Sequence, residues 1–399
     1  MRILMVIHGF PPFYMAGSEV YTYNLCQELT KDNEVYVFTR IENPYEASYT
    51  YYDEDYHGLK VRRVNKPQRD YTLTDKYLDP EMDVVFEAFL EEIKPDVVHI
   101  GHLSHLSTNL PEIARKKGCP VIYTLHDFWL KCYRGQLIKP DLQICAGPSD
   151  ENCLDCVKRT FKDKWDIEDV KTYRKHMDDV ISQINLLLSP SHFLLDFYKN
   201  NGVDDNKLVF SKYGFNKSVI LPKKKNYEND SKISFGFMGR VIPVKGIKIL
   251  LEAFRELERS ELHIFGSVGG QKIFLEKYVD KNIFFDGSFD NWEINKVLER
   301  IDVLVVPSIW YENSPLVIQE AFMAGIPVIT SDIGGMAELV ENGIDGFTFD
   351  TGNKNALKSI MKRIEDDPTI LNVLNVSSTK VRSIQDDAAF VQELYREVL

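Results

Sequence analysis

Four groups of side chains in this sequence have the types and spacing to do chemistry. In the stretch YENSPLVIQEAFMAG (311–325), Glu312 and Glu320 stand eight residues apart. Ser314 is a good N-cap, Pro315 suits the first helical position and Gly325 is a good stop, so the pattern predicts a helix over 315–324 with Glu320 in its second turn. The neighbours Leu316, Val317, Ile318, Ala321 and Phe322 are core types. A carboxylate placed among them without a partner costs several kcal/mol, so Glu320 is expected to face a ligand or a donor, and a pair of sugar hydroxyls is such a donor. Glu312 lies just ahead of the helix, whose positive end favours an anion. The structural alternative is a dipole charge at 312 and a salt-bridged Glu320.

Arg240 and Lys245 stand five residues apart in GRVIPVKG, between an apolar run that ends at Gly239 and a helical pattern that opens after Gly246. Unpaired N–H groups at a helix start bind anions, and a Lys and an Arg converging there hold a diphosphate. Two solvated charges on a loop are the plain alternative. His126 and Asp127 close the run PVIYTLHD. A His at the carboxyl end of a parallel strand faces the ligand crevice and can donate to a hydroxyl; a lone His is otherwise structural. Cys132, Cys145, Cys153 and Cys156 are four of the six cysteines and fall within 25 residues. The C-x-x-C spacing at 153 and 156 suits two thiolates on one tetrahedral metal, so structural zinc, free thiols and iron–sulfur or redox chemistry stay open. Cys26 and Cys119 lie in apolar contexts and read as core.

The elements that must position these groups repeat. RILMVIHGF (2–10) is a short apolar run followed by a loop and the helical pattern VYTYNLCQELT; KISFGFMGR (232–240) is followed by VIPVKG and IKILLEAFREL in the same order. Further apolar runs alternate with helical patterns in each half: EVYVFTR, DVVHIGH, PVIYTLHD and NLLLSPS, then NIFFDGS, DVLVVPS, PVITSD and GFTFD. This alternation predicts two parallel sheets covered on both faces. With 399 residues, two domains are expected, joined by the polar, aperiodic LPKKKNYENDSK (221–232) and closed by one more amphipathic helix, DDAAFVQELYREVL. Open sheets bind ligands at the carboxyl ends of their strands, which puts the expected site between the domains.

Composition narrows the function. Hydrophobic residues are 44% and charged residues 27%, as in a soluble enzyme, and no apolar run reaches the roughly 18 residues of a membrane span. The opening residues lack a signal-peptide cleavage site, so the expected location is cytoplasmic. A net charge of -12 argues against broad nucleic-acid binding. Neither glycine loop carries G-x-G-x-x-G, which leaves a nicotinamide or flavin cofactor with little support. The stretch 157–175 mixes Lys and Arg with Phe161, Trp165 and Tyr173, a face that could rest on anionic lipid or, more plainly, be solvated.

Together the E-x7-E pair Glu312 and Glu320, the run VLVVPS before it, PVITSDIGGMAELVENGIDGFTF after it and GRVIPVKGIKILLEAF resemble the retaining glycosyltransferases of family 4. The resemblance spans essentially the whole chain. It implies an α/β, GT-B fold of two Rossmann-like domains facing each other across a cleft. Residues 1–214 would form an acceptor-binding domain on which the C-terminal helix 384–399 packs back, and 215–383 a nucleotide-sugar-binding domain. It also implies roles: His126, Glu312, Arg240 and Lys245 in catalysis, with Gly17, Gly239, Ser314, Pro315, Leu316 and Glu320 joining Arg240 and Lys245 in donor binding. Glu320 would take the ribose hydroxyls, Glu312 and His126 the transferred sugar, and Gly17 the phosphates. The implied donor is a UDP-, GDP- or ADP-sugar, and the implied acceptor a glycan or lipid-linked glycan of a cell-surface or secreted polysaccharide. No cofactor is implied for catalysis, and peripheral membrane contact and a structural zinc on the four cysteines stay open. Two departures stand out: Ala16-Gly17 where many relatives have two glycines, and Tyr213-Gly214-Phe215-Asn216 where Asn-Gly is common. A nucleotide-sugar epimerase or hydrolase on the same fold, and a non-catalytic nucleotide- or glycan-binding protein, are the alternatives.

Overall fold

Short runs of Val, Ile and Leu bounded by turn residues become strands buried on both faces, because helices cover a parallel sheet from either side. The structure, a computed structural model, describes residues 1–66, 72–161, 164–223, 225–271, 275–278 and 280–399. The chain divides into two units, Met1–Phe215 with Arg382–Leu399, and Asn216–Val381.

The first unit holds β1 (Arg2–Ile7), β2 (Glu34–Ile41), β3 (Tyr51–Tyr56), β4 (Leu59–Asn65), β5 (Val97–Ile100), β6 (Val121–Thr124), β7 (Leu186–Ser189) and β8 (Leu208–Phe210). They form one sheet in the order β3-β4-β2-β1-β5-β6-β7-β8, parallel except for the β3–β4 pair. That hairpin escaped the sequence reading because its strands are highly charged. Arg62 and Arg63 of β4 are buried, and what makes this tolerable is pairing: Arg62 with Asp53 and Glu92, and Arg63 with Glu54 and the Phe10 and Pro11 carbonyls. The short β9 (Gly214–Phe215) closes the sequence-continuous part of this unit.

The second unit is one six-stranded sheet of β10 (Ser234–Met238), β11 (Glu261–Phe265), β12 (Ile283–Gly287), β13 (Val303–Val306), β14 (Val328–Ser331) and β15 (Gly346–Phe349), in the order β12-β11-β10-β13-β14-β15 and parallel at each pairing. The path reverses between β10 and β13, and such a switch point opens a ligand crevice at the carboxyl ends of those two strands. The first unit has the equivalent reversal between β1 and β5. Phe235, Leu250, Phe254, Leu262, Val305, Leu357 and Met361 are among the side chains that fill the second unit's core.

The chain returns to the first unit through β16 (Arg382–Ser383), which pairs in parallel with β9, and the helix Ile384–Val398, which packs on the helix Gly17–Leu29. Asp387 fixes that return: its Oδ2 accepts from the Gly214 N–H at 2.9 Å and from the Tyr21 hydroxyl at 3.0 Å. Farther along the helix, Tyr395 shares a 2.6 Å hydrogen bond with His99 of β5.

The segment 221–232, expected to be a bare linker, is anchored in the second unit, apart from Lys224, which lies outside the described residues. Lys223 and Lys225 reach Asp302 at 3.1 and 2.8 Å, and the buried Tyr227 donates its hydroxyl to the same carboxylate. The lysines that made the segment look like a spacer are the groups that attach it. In the stretch 157–175, residues 162 and 163 lie outside the described residues. Tyr173 is only 4% exposed, inside the helix Ile167–Ser182, so it belongs to the core and cannot rest on lipid. Among the described residues no helix is long and apolar enough to cross a membrane.

Candidate functional site

In the second unit the two loops at the switch point carry the charged groups. After β10 come Gly239 and Arg240, then a single 3-10 turn, Pro243–Lys245, and the helix Ile247–Phe254. Gly246 joins turn to helix with φ +70, and a Cβ there would lie 1.8 Å from the Pro307 carbonyl oxygen. Only glycine permits that approach. It presses the 243–246 turn onto the loop after β13, where the Ile309 N–H donates to the Val244 carbonyl at 2.9 Å.

The result is that Lys245 meets Glu312, with Nζ 2.5 Å from Oε1. The same oxygen accepts from the Ser308 hydroxyl at 2.7 Å and the Trp310 indole N–H at 3.2 Å, and the Glu312 carbonyl accepts from the Gly335 N–H at 2.9 Å. Glu312 is buried, and charge-assisted hydrogen bonds of this kind fix a carboxylate in direction. Ser308 and Trp310 were not picked out from the sequence. Their only signal was proximity to Glu312, with Ser308 closing the run VLVVPS two residues after β13.

The helix carrying Glu320 spans Leu316–Ala324, one residue shorter than expected, and Ser314 does not cap it. Pro315 occupies the N-cap position at φ -59 and ψ 121, an extended ψ that delays the first helical residue to Leu316, and no side chain caps the helix. Its opening N–H groups are therefore of the kind that take an anion. Glu320 remains in the second turn. It is half-buried, no hydrogen bond or ion pair among the described residues reaches its carboxyl, and burial pushes that carboxyl up to about 7. Arg240 is exposed and makes no ion pair among the described residues.

In the first unit, the corresponding strand ends carry His8 after β1, His102 after β5, and His126 with Asp127 after β6. His126 Nδ1 and the Tyr213 hydroxyl share a 2.6 Å hydrogen bond, and burial, helped by His102, holds the imidazole down to about 3. His126 is thus neutral at ordinary pH and acts as a hydrogen-bonding group rather than a cation. Asp127 Oδ2 stands 3.4 Å from His102 Nε2, and His8 lies 3.4 Å from Glu19 with its ring 4.6 Å from that of His102. Gly17 opens the helix Gly17–Leu29 and is exposed, and Ala16 supplies no side-chain cap. His102, His8 and Glu19 are further groups the sequence reading passed over, and Tyr213 entered it only as part of a departing motif.

Cys132, Cys145, Cys153 and Cys156 all line one cavity of about 20 Å³, whereas Cys26 and Cys119 are buried elsewhere. Among the described residues no group of three or more His, Cys, Asp or Glu side chains is placed to hold a metal ion.

Two family models match the chain: Glycosyltransferase Family 4 over residues 15–210 and glycosyl transferases group 1 over 221–380. The chain is 25% identical over 385 residues to an uncharacterized glycosyltransferase of Methanocaldococcus jannaschii, covering 92% of this chain and 90% of that one. It is 32% identical over 193 residues to the UDP-Gal:alpha-D-GlcNAc-diphosphoundecaprenol alpha-1,3-galactosyltransferase of Escherichia coli, a match to 46% of this chain and 47% of that enzyme. Among solved structures, sucrose-phosphate synthase from Thermosynechococcus elongatus superposes with a TM-score of 0.74 at 17% identity, covering 100% of this chain and 99% of that one. With both halves matched and the fold shared along its length, this chain belongs to the group 1 glycosyltransferases of the GT-B fold and is a transferase enzyme.

Proposed function

We propose that the enzyme is a retaining glycosyltransferase that moves a sugar from a nucleotide-sugar donor to a glycan or lipid-linked acceptor during synthesis of a cell-surface or secreted polysaccharide. The observation that carries the donor assignment is Glu320, a half-buried carboxyl with no partner among the described residues, on a helix whose start no side chain caps. A vicinal pair of ribose hydroxyls supplies the two donors such a carboxylate lacks, and the helix start suits the diphosphate. Arg240 and Lys245 add positive charge for the phosphates, and Gly239, Pro315 and Leu316 bring backbone to the same loops. Lys245 is already set by Glu312, so its ammonium is fixed before a donor arrives.

In this reading the reaction runs by electrostatic stabilisation. As the glycosidic bond to the diphosphate stretches, negative charge builds on the departing phosphate oxygens and positive charge on the sugar ring. The first is assigned to Arg240, Lys245 and the helix start and the second to the Glu312 carboxylate, and no metal is assigned to the reacting centre. The donor and acceptor classes are supported by the Escherichia coli relative, whose name gives a UDP-sugar donor and a diphosphoundecaprenol-linked acceptor.

The test is a panel of UDP-, GDP- and ADP-sugars read by thermal shift and by slow release of nucleoside diphosphate, followed by proton NMR of the product's anomeric configuration. One donor should stabilise the protein in proportion to its affinity. Absence of binding to every donor overturns the donor assignment, and an inverted anomeric centre overturns the retaining mechanism.

A further inference from the structure

The four-cysteine cavity takes no part in the proposed transfer, yet its construction is specific. Cys153 and Cys156 lie one turn apart on the helix Asp150–Thr160, so both thiols project from one face. Ser149 caps that helix by accepting from the Asn152 N–H at 3.2 Å, which sets where the face points. Cys132 sits in a tight turn, its N–H donating to the Phe128 carbonyl at 2.8 Å and its carbonyl accepting from the Gly135 N–H at 2.6 Å. Cys145 ends a small hairpin: its N–H donates to the Leu137 carbonyl at 2.8 Å, Ile138 and Ile144 form an antiparallel bridge, and Leu142 takes the left-handed φ of 68 that the reversal requires. Two thiols from a turn and a hairpin thus face two from a helix around one small space.

Size narrows the occupant. About 20 Å³ is the space of one water molecule or one ion, not of an organic ligand. Four cysteines around so small a space are a donor set of the number and kind that a tetrahedral zinc ion takes.

We propose that Cys132, Cys145, Cys153 and Cys156 form a structural tetrathiolate site for one zinc ion. As they stand among the described residues, the thiols are not placed to hold a metal ion. Binding therefore requires cysteine rotamer changes, each of which carries a sulfur through about 3 Å, to bring the four to the roughly 2.3 Å of zinc–sulfur bonds. Binding displaces the thiol protons to solvent as each sulfur becomes a thiolate ligand, with no change in oxidation state. Because the site lies wholly in the first unit and holds no group assigned to transfer, it stands or falls independently of the proposed function.

The test is elemental analysis of the full chain, expressed without a metal-affinity tag, combined with thiol titration under native conditions. About one zinc per chain, with the four thiols shielded until a chelator is added, is the expected result. Replacing the metal with cobalt should give the visible absorption of a tetrahedral tetrathiolate, and Cys145→Ser alone should weaken or abolish that spectrum. The pair Cys153→Ser with Cys156→Ser should lose the zinc. If that pair fails to fold, the zinc content and cobalt spectrum of the unaltered chain still decide. Substoichiometric zinc with the thiols titrating freely overturns the site, and iron with inorganic sulfide overturns its assignment to zinc.

Discussion

Among the described residues no hydrogen bond or ion pair meets the Glu320 carboxyl, and its pH behaviour follows from that. Its carboxyl titrates near 7 in the fold against 4.5 for an exposed glutamate, so the folded chain binds the proton more tightly than the unfolded one. The sign is then fixed: stability from this group is full below 4.5 and is lost as pH rises through 7. Glu320→Gln should therefore stabilise the protein at pH 8, by up to about 3 kcal/mol, and change little at pH 4. Thermal melts at the two pH values check it, and equal effects at both would contradict the placement. The same variant should bind nucleoside diphosphate at least about tenfold more weakly. Wild-type affinity should itself fall as pH drops below 7, because hydroxyl donors prefer the ionised acid. Lys245→Ala leaves Glu312 with Ser308 and Trp310 but no cation, so it should lose about 1–3 kcal/mol of stability as well as diphosphate affinity. A double-mutant cycle with Glu312→Gln separates the two losses. The positions of Glu312, Glu320 and Lys245 on or beside their helices were legible because the apolar period marks where a helix runs, although the cap expected at Ser314 is absent. Ser308, Trp310 and Tyr213 were not. Tyr213 meets His126 across 87 residues of chain, a distance no local pattern encodes.

Elements were legible where apolar runs alternate with helical patterns, and each strand named from the sequence is present. The β3–β4 hairpin was hidden because its pairing depends on buried arginines whose partners lie in other elements. Docking of the helix Ile384–Val398 shows a related limit: the helix was expected, but the contact that seats it is a backbone approach. A Cβ on Gly214 would lie 2.5 Å from Asp387 Cβ and 2.7 Å from the Ser383 carbonyl oxygen, so neither strand nor helix could keep its place. Gly214→Ala should cost about 3 kcal/mol and expose the last helix to limited proteolysis. Gly270→Ala, at a position with open space around it, should be close to neutral in the same assays.

At the scale of the whole molecule, burial holds His99, His105 and His126 down to about 3 and lowers His8 and His176 as well. These bases stay neutral in the fold and take up protons once unfolded, so the stability they contribute is lost as pH falls below 6.5. Glu320 and Asp387, pushed up to about 7 and 6, act in the opposite sense. The histidines outnumber them, and each proton bound only by the unfolded chain is worth about 1.4 kcal/mol per pH unit. Denaturant midpoints should therefore fall steadily from pH 6.5 to pH 5. A flat profile would show that the buried imidazoles protonate within the fold.

The division of the chain also has a consequence for its synthesis. Residues 216–381 form a unit continuous in sequence, whereas the first unit takes in residues 382–399, which include Asp387 and Tyr395. Made from the N-terminus, the chain can complete its second unit while the first still lacks a helix and the partners of His99 and Gly214. Nascent chains stalled so that residues up to 381 have left the ribosome should resist protease in the 216–381 region, while residues 1–215 stay open to cleavage until the last helix emerges. The half of the enzyme that is translated first should be the half that matures last.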